Sequence, residues 1–441
     1  MVRRLVWVAL AAAAACSQET SVAAGPTSTF YRPTGVGVHA GKLVVASSNG
    51  DLRYDGATGG SVISVDPAVD RGGGFAGFAG GVNIQSFAGE MAIADPGACP
   101  DIDAQVYPQA VAIVPVRGEN LLYLLAVDGG GAVSCSGCGV LVGGTDRVDP
   151  YFTGLACRPP DVQGDRFARA YLGFLRSATG AATIAQIDLT KAITADGAIQ
   201  SASFGNGNVR GFAYDADRRR LYLAVSGNGS GSQLRWIDFA GDCRIDLDPT
   251  VGGCAVGNAP LPGALEATGI ALSTPDPAFP RRRAYVTARL ADTAAGGTNA
   301  EGFLLVADLV DDVAGNTRLQ VVNEVPVGTG PVKVVVLPKI PSRAGLRDVV
   351  GVLVADDALL WLVDDETGAR VSIGRDASGH PKLGSAPATL AVDPSPLGSL
   401  AHLYVSSFGE SFVTQIDVQI DDIASLREPA GGFRRIFGGT P

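Results

Sequence analysis

Cysteine is the side chain with the most chemistry to offer in this sequence, which has seven cysteines and only three histidines. With Cys16 set aside an even number remains, which is typical of disulfide-bonded proteins outside the cytosol. The expected pairs are Cys243 with Cys254, Cys135 with Cys138, and Cys99 with Cys157. The Cys135 and Cys138 pair could instead be a redox pair or half of a zinc site, and the pairs could exchange partners.

Histidines and serines give no further catalytic pattern. A zinc site takes four cysteine or histidine ligands, and His39, His380 and His402 are scattered along the chain. Gly139 follows Cys138 at the position where a haem-attachment motif has histidine. No Gly-x-Ser-x-Gly motif is present to position a nucleophilic serine. The sequence therefore predicts no catalytic residue, no metal and no cofactor.

The first fifteen residues have the form of a bacterial export signal. A basic start with Arg3 and Arg4 is followed by an apolar run over 5–15, and small residues come just before Cys16. This run is too short for a membrane-spanning helix, which needs about 20 residues. We therefore expect 1–15 to be a cleaved signal peptide.

The segment 13–16, Ala-Ala-Ala-Cys, resembles the lipobox of bacterial lipoproteins, with alanine where leucine is usual at its first position. This resemblance implies lipidation of Cys16, with 16–29 as a tether to the membrane. Ser17, where some lipoproteins have aspartate, implies sorting to the outer membrane. Cleavage of the same bond by an ordinary signal peptidase is the alternative.

The overall composition favours short strands and tight turns over helices. Glycine makes up 59 of the 441 residues and proline 26, while 46% of residues are hydrophobic and 18% are charged. The net charge is −10, and no run of one charge exceeds three residues, the length of the arginine triplets at 218–220 and 281–283. Phosphate binding needs a clustered basic face, so we expect no nucleic-acid partner and interpret the negative charge as serving solubility.

One three-part pattern recurs seven times, as is typical of repeat architectures. Its first part is a strand with apolar residues two apart and glycine or alanine between them, which suits an innermost strand where another backbone comes close. The seven copies of this part begin at Pro33, Pro108, Thr153, Arg210, Thr268, Pro331 and Pro387.

The second part is a strand centred on tyrosine or an aliphatic residue, and the third is an apolar strand that ends in aspartate. The centres of the second part are residues 44, 123, 171, 222, 285, 353 and 404. The aspartates are Asp66, Asp188, Asp238, Asp308, Asp364 and Asp417, and the second copy lacks one. We interpret them as turn residues that accept hydrogen bonds from the following amides, with a charged ring at one rim as the alternative.

A fourth strand, best seen at 319–328, completes a sheet with two apolar faces that only neighbouring sheets can cover. The sequence therefore predicts an all-β fold, a seven-bladed β-propeller of four-stranded antiparallel blades over residues 30–441. Residues 28–31 are expected to close the ring beside the last strand. The surplus residues are assigned to rim loops, chiefly 67–107, 129–151, 241–266 and 291–302.

The repeated elements Pro-x-x-Val-x-Val, Leu-Tyr-Val, Val-x-x-Ile-Asp and Val-x-Val-Gly resemble the YVTN-repeat family of lactonase-like bacterial propellers over about residues 30–440. The resemblance implies the seven-bladed fold. Because the motif residues build strands and turns, it implies no particular reaction.

The function that the sequence favours is non-catalytic. We expect a monomeric envelope protein, held to the membrane by its lipid anchor alone, that binds a protein, glycan or cell-wall component through long rim loops. The alternative implied by the family resemblance is a lactonase-like hydrolase with a polar or metal site at the mouth of the axial channel. Arg210 begins an inner strand where other copies have threonine or a small residue. It is a candidate ligand contact in the channel, or else part of a plain salt bridge.

Overall fold

The chain folds into seven consecutive antiparallel sheets, the blades of a β-propeller. The computed structural model describes residues 23–69, 77–135, 137–142, 147–158, 166–177, 181–195, 198–227, 231–239, 254–263, 265–277, 279, 281–290, 301–312, 317–339, 348–375, 378, 382–393, 400–419 and 433–437. Within these ranges the only helical element is a single 3-10 turn, Pro67–Val69. No helix there is long and apolar enough to span a membrane.

Each blade is made from one continuous stretch of chain. Blade 1 contains β1 (Pro33–His39), β2 (Lys42–Ser47), β3 (Gly60–Asp66) and β4 (Gly77–Ile84). Blade 2 contains β5 (Ala92–Ala94), β6 (Ala110–Val116), β7 (Leu121–Val127), β8 (Val133–Ser134) and β9 (Gly139–Leu141). Blade 3 contains β10 (Arg147–Cys157), β11 (Ala168–Ser177), β12 (Ala181–Asp188) and β13 (Ile199–Asn206).

The remaining four blades follow the same plan of four strands each. Blade 4 contains β14 (Asn208–Asp215), β15 (Arg220–Ser226), β16 (Gln233–Asp238) and β17 (Ala255–Pro260). Blade 5 contains β18 (Leu265–Leu272), β19 (Arg283–Leu290), β20 (Glu301–Asp311) and β21 (Thr317–Thr329). Blade 6 contains β22 (Pro331–Val336), β23 (Val349–Val354), β24 (Leu359–Asp364) and β25 (Arg370–Ile373). Blade 7 contains β26 (Pro387–Val392), β27 (Leu400–Ser407), β28 (Val413–Gln419) and β29 (Phe433–Ile436).

The first strand of each blade lies at the centre of the ring. The inner strands contact one another in the cyclic order β1, β5, β10, β14, β18, β22, β26 and back to β1. We call the end of the propeller where these strands begin the upper rim, and the end where they finish the lower rim. The predicted all-β seven-bladed propeller is confirmed.

The apolar core of the described residues consists of seven clusters, one between each pair of neighbouring blades. The tyrosines Tyr171, Tyr222 and Tyr285 of the second strands are fully buried, because each of these strands is covered on both faces. The cluster between blades 7 and 1 joins Phe30 to Ile436 and closes the ring. Burial of sheet faces, rather than a long connection, therefore holds the blades together.

Small residues in the inner strands allow the blades to approach closely at the axis. A Cβ atom added at Gly154 would lie 2.3 Å from the Cβ atom of Phe212 in the next blade. One added at Gly35 would lie 3.0 Å from the backbone nitrogen of Met91. Both distances are far below ordinary carbon contacts, so glycine is required where the predicted pattern has it.

The predicted register of blade 2 is wrong by one strand. The innermost strand is β5, which contacts β1 and β10, and the segment that begins at Pro108 forms the second strand, β6. Tyr123 therefore belongs to the third strand, β7. Asp128 follows β7 and accepts a hydrogen bond from the amide of Ala132 at 2.8 Å. The second copy thus has the turn aspartate that the sequence pattern assigned only to the other six.

Three of the predicted rim loops contain whole strands. The segment 67–107 includes β4 and β5, 129–151 includes β8 and β9, and 241–266 includes the outer strand β17. These strands are rich in glycine or short, so their apolar alternation is weak.

The ring closes without an exchange of strands among the described residues, since blade 7 has its own outer strand, β29. The predicted closing segment does lie beside this strand, where the Phe30 amide donates to the Phe437 carbonyl at 3.3 Å. Part of the predicted tether, 23–29, is also attached to blade 1. There the Gly25 amide donates to the Thr58 carbonyl at 3.0 Å.

Candidate functional site

On the lower rim, the aspartates that end the third strands pair with basic side chains at the start of the second strands. The pairs are Lys42 with Asp66, Arg169 with Asp188, Arg220 with Asp238, Arg283 with Asp308, and His402 with Asp417. The predicted turn role is also present, because Asp66 and Asp188 each accept a hydrogen bond at 2.9 Å from the amide two residues later. These basic partners were not predicted, although several of them stand two positions before the tyrosine of the second strand.

Three neighbouring connections on the lower rim interlock. The link between β18 and β19 of blade 5, residues 273–282, is tied to blade 4 on one side and to blade 6 on the other. Its contacts are Arg282 with Asp215 at 3.0 Å, the Thr274 amide with Asp348 at 3.0 Å, and Asp276 with Lys339 at 2.6 Å. A link held at several points has its shape set before a ligand arrives, which lowers the entropic cost of binding.

A pocket of about 430 Å³ opens between blades 4 and 5 beside this link, within the usual size range of small-molecule sites. Its blade 4 wall consists of Asp215, Asp217 and Arg218, and its blade 5 wall consists of residues 273–277, Phe279, Arg281 and Arg282. Both arginine triplets of the sequence contribute to it. We call this cavity the lower-rim pocket.

Asp215 is the most deeply buried charged group of the lower-rim pocket, with its side chain 1% exposed. It accepts hydrogen bonds from Arg282 at 3.0 and 3.2 Å and from Arg218 at 3.0 Å. Burial alone would raise the pKa of Asp215, but the two arginines outweigh it and hold the pKa below its ordinary value. Asp215 therefore stays charged and anchors the arginines in the pocket wall.

Two further buried carboxylates, Asp348 and Asp365, lie together between blades 5 and 6, next to the link of the lower-rim pocket. The Tyr285 hydroxyl lies 2.5 Å from Asp365 and 3.1 Å from Asp348, and its single proton can be donated to only one of them. Burial raises the pKa of Asp365, and the charge of Asp348 adds to the rise. Hydrogen bonds from Tyr285 and Arg283 offset only part of this effect.

The raised pKa of Asp365 predicts a pH-dependent contribution to stability. A carboxyl group that binds its proton more tightly in the folded chain stabilises the fold at acid pH. That contribution is lost as pH rises from the unfolded value, about 3.9, through the folded pKa. Asp365→Asn fixes a neutral side chain and removes this dependence. In urea titrations across acid to neutral pH, we expect the free energy of unfolding of Asp365→Asn, relative to wild type, to increase as pH rises.

Asp101→Asn provides a control of opposite sign. The hydrogen bond from Arg158 lowers the pKa of Asp101, so its stabilisation is present above about pH 3.9 and is lost on acidification. Relative to wild type, this variant should therefore lose stability as pH rises through that region. Identical slopes for the two variants would contradict the assignment.

Among the described residues, one ion pair crosses the central opening near the upper rim. The Lys333 ammonium lies 2.8 Å from the Glu90 carboxylate, whose side chain is 5% exposed. Lys333 belongs to the inner strand of blade 6 and Glu90 precedes that of blade 2. The ion pair therefore joins blade 6 to blade 2 across the central opening, because blades 7 and 1 separate these two blades around the ring.

Arg210 lies on the inner strand of blade 4 and makes no ion pair with any described residue, so the predicted salt bridge is not found there. Its Nε donates to the Ser226 hydroxyl at 3.2 Å, and its guanidinium lies 5.9 Å from the centre of the Phe152 ring. Burial lowers the pKa of Arg210. A ligand contact at Arg210 stays a prediction.

Four cysteines form two disulfide bonds within the described residues. Cys99 is joined to Cys157 and Cys135 to Cys138, with Cα atoms 5.1 and 5.4 Å apart. The second bridge lies between β8 and β9, the two halves of the interrupted outer strand of blade 2. Cys254 is disulfide-bonded. Its predicted partner Cys243 lies outside the described residues, as does the predicted lipidation site Cys16.

The described part of the chain contains no group of three or more histidine, cysteine, aspartate or glutamate side chains that could hold a metal ion. His39 and His402 lie on different blades at the lower rim, where they contact Asp95 and Asp417 respectively, each at 2.6 Å. The structure therefore brings together arginines and aspartates that were not predicted to form a site.

Solved structures of several bacterial proteins are similar to this chain. A Bacteroides fragilis protein provisionally named a 6-phosphogluconolactonase is 12% identical with a TM-score of 0.47, and the match covers 81% of this chain and 85% of that one. The periplasmic gluconolactonase PpgL of Pseudomonas aeruginosa is 14% identical with a TM-score of 0.42, covering 77% and 84%. Apo AztD of Citrobacter koseri is 11% identical with a TM-score of 0.40, covering 92% and 87%.

No protein-family model matches the chain, and no curated protein matches it. Every TM-score quoted above is below 0.5, so the fold assignment rests on the strand pairing and the seven interblade clusters. The resemblance to the YVTN-repeat family stays a prediction.

Proposed function

We propose that this chain is an exported envelope lipoprotein, anchored through Cys16 in the outer membrane, whose propeller binds a ligand without transforming it. The lower-rim pocket is the proposed binding site. The observation that carries the proposal is its wall of mutually paired charges, above all Asp215 with Arg282 and Arg218. Charges held this way orient a ligand well, but they exchange protons poorly.

The link that forms the pocket is one of the extended connections of the lower rim. In blade 1 the connection between the first two strands is residues 40–41, whereas in blade 5 it is residues 273–282. The longer link supplies the apolar wall, Pro275, Pro277 and Phe279, that a simple turn could not provide. Extended connections on a rigid scaffold are typical binding elements.

The proposal predicts that capture of an envelope partner depends on Phe279. Purified wild-type protein, Phe279→Ala and Phe78→Ala are each used as bait with solubilised envelopes, and the retained material is quantified. Phe78 is 50% exposed on the outer strand of blade 1, so it is a matched control far from the pocket. We expect the Phe279 variant to retain about ten-fold less, the typical loss for one well-placed aromatic contact. Equal retention by all three baits would contradict the proposal.

A lactonase-like hydrolase is the second candidate function, and it is favoured by one observation. Arg210 offers a guanidinium on the inner strand of blade 4 that makes no close ion pair with a described carboxylate, and such a group could bind the oxygen of a cyclic ester. Titration of acid release from a δ-lactone tests it. Turnover by the wild-type protein that is lost in Arg210→Met would support the hydrolase.

A further inference from the structure

One arginine of the lower-rim pocket is available to a ligand among the lining residues that the structure describes. Arg282 and Arg218 are both bonded to buried Asp215, and Arg282 is only 9% exposed. Arg281 is 61% exposed, and its nearest carboxylate, Asp308, lies 3.8 Å away and is already bound by another arginine at 2.8 Å. A solvated pair at 3.8 Å is weak, so Arg281 can receive an anionic group.

The pocket also presents one well-exposed acceptor. Asp217 is 70% exposed and has one arginine contact, to Arg282 at 3.3 Å. Asp276 is less available, because Lys339 holds it at 2.6 Å. Because each carboxylate oxygen has two lone pairs, a carboxylate with a single arginine contact can still accept hydrogen bonds from a pair of neighbouring hydroxyl groups.

Part of the remaining wall is apolar. Pro275 and Pro277 are exposed and Phe279 is half-buried, all within the ten-residue link tied to blades 4 and 6. Prolines fix the backbone dihedral φ, and an aromatic face packs well against the C–H groups on one face of a saturated ring. This wall favours a ligand that is itself a compact ring.

We propose that the lower-rim pocket binds an acidic saccharide, meaning a sugar chain in which a carboxylate accompanies neutral hydroxyl groups. The carboxylate would pair with Arg281, two ring hydroxyls would donate to Asp217, and a sugar face would pack on Phe279. This inference rests on the proposed function, because it names the ligand class of the same pocket. An acidic peptide could satisfy Arg281, but it lacks the vicinal hydroxyls that match Asp217.

Calorimetric titration of the purified protein tests the ligand class with three probes: a trimer of galacturonic acid, a trimer of galactose and a peptide of three glutamates. We expect the acidic sugar to bind about ten-fold more tightly than the neutral one, as a single charge-assisted contact would give. The peptide should bind more weakly than the acidic sugar. Equal affinity for the two sugars, tightest binding of the peptide, or no binding of any probe would overturn the inference.

The variants assign the preference to named residues. Arg281→Gln should bind both sugars about equally, while Arg281→Lys keeps part of the preference for the acidic one. Arg318→Gln is the matched control, because Arg318 is 79% exposed in the same blade and also has a carboxylate at 3.8 Å. A preference that survives Arg281→Gln would overturn the inference. If capture of the envelope partner still requires Phe279 in that case, the proposed function stands and only the ligand class fails.

Discussion

Replacing Asp215 by alanine is expected to lower the free energy of unfolding by about 3–5 kcal/mol, the usual cost of leaving one partner of a buried ion pair uncompensated. Asp215 is fully buried, and its carboxylate neutralises Arg282, which is only 9% exposed. The same carboxylate accepts hydrogen bonds from the amides of Asp217 and Arg218. The variant therefore also loses the hydrogen bonds that stabilise the turn between the first two strands of blade 4.

Asp217→Ala is the control for this prediction. Asp217 contacts the same arginine at 3.3 Å but is 70% exposed, and exposed pairs of this kind contribute about 0–1 kcal/mol. Urea unfolding of both variants measures the difference. Equal losses would show that burial does not govern this ion pair. The Asp215 variant should also lose ligand binding, because Arg282 would no longer be fixed in the pocket wall.

Removing the disulfide between Cys99 and Cys157 is the second change for which we expect a large effect. The two cysteines are 58 residues apart and join the connection after β5 to the end of β10, so the bond ties blade 2 to blade 3. In the chain-entropy account, closing a loop of this length stabilises the fold by about 4 kcal/mol. The paired variant Cys99→Ala with Cys157→Ala should lose about that amount in urea unfolding.

The second bridge supplies the comparison. Cys135 and Cys138 are three residues apart, and closing so short a loop contributes about 2 kcal/mol on the same account. The paired variant Cys135→Ala with Cys138→Ala should therefore be the less destabilised of the two. The reverse order would show that local strain or packing, and not loop length, decides the contribution of each bond.

Much of the fold could be predicted because propeller blades bury both faces. The second strands carry continuous apolar runs such as Leu221 to Ala224, and the inner strands alternate large and small residues around Gly154 and Gly211. Both patterns follow directly from a sheet covered on two sides. The register of blade 2 was predicted wrongly because its inner strand, β5, has only three residues. The second strand, β6, shows the pattern expected of an inner strand over seven residues. A short strand is fixed by its neighbours and not by its own sequence.

The lower-rim pocket could not be predicted because its charged residues come from distant parts of the chain. Arg282 and Asp215 are separated by 67 residues and meet only when blades 4 and 5 pack side by side. The arginine triplets were visible in the sequence, and Asp215 lies just before the first of them, but nothing local indicated that Asp215 would also bind Arg282 of the second. Arg210 illustrates the opposite case. Its position on an inner strand was evident, yet its lack of a described carboxylate partner required the structure.

The lower-rim pocket and the axial channel are formed by different segments of the chain. The segments that a bound ligand protects from amide hydrogen exchange therefore show which of the two sites it occupies. Amide hydrogen exchange of the purified protein, with and without the captured envelope ligand, makes this comparison. We predict slower exchange at 215–219, 273–277 and 281–283, with no change at 88–94 and 331–335. Protection at the channel segments, with none around the lower-rim pocket, would contradict the account.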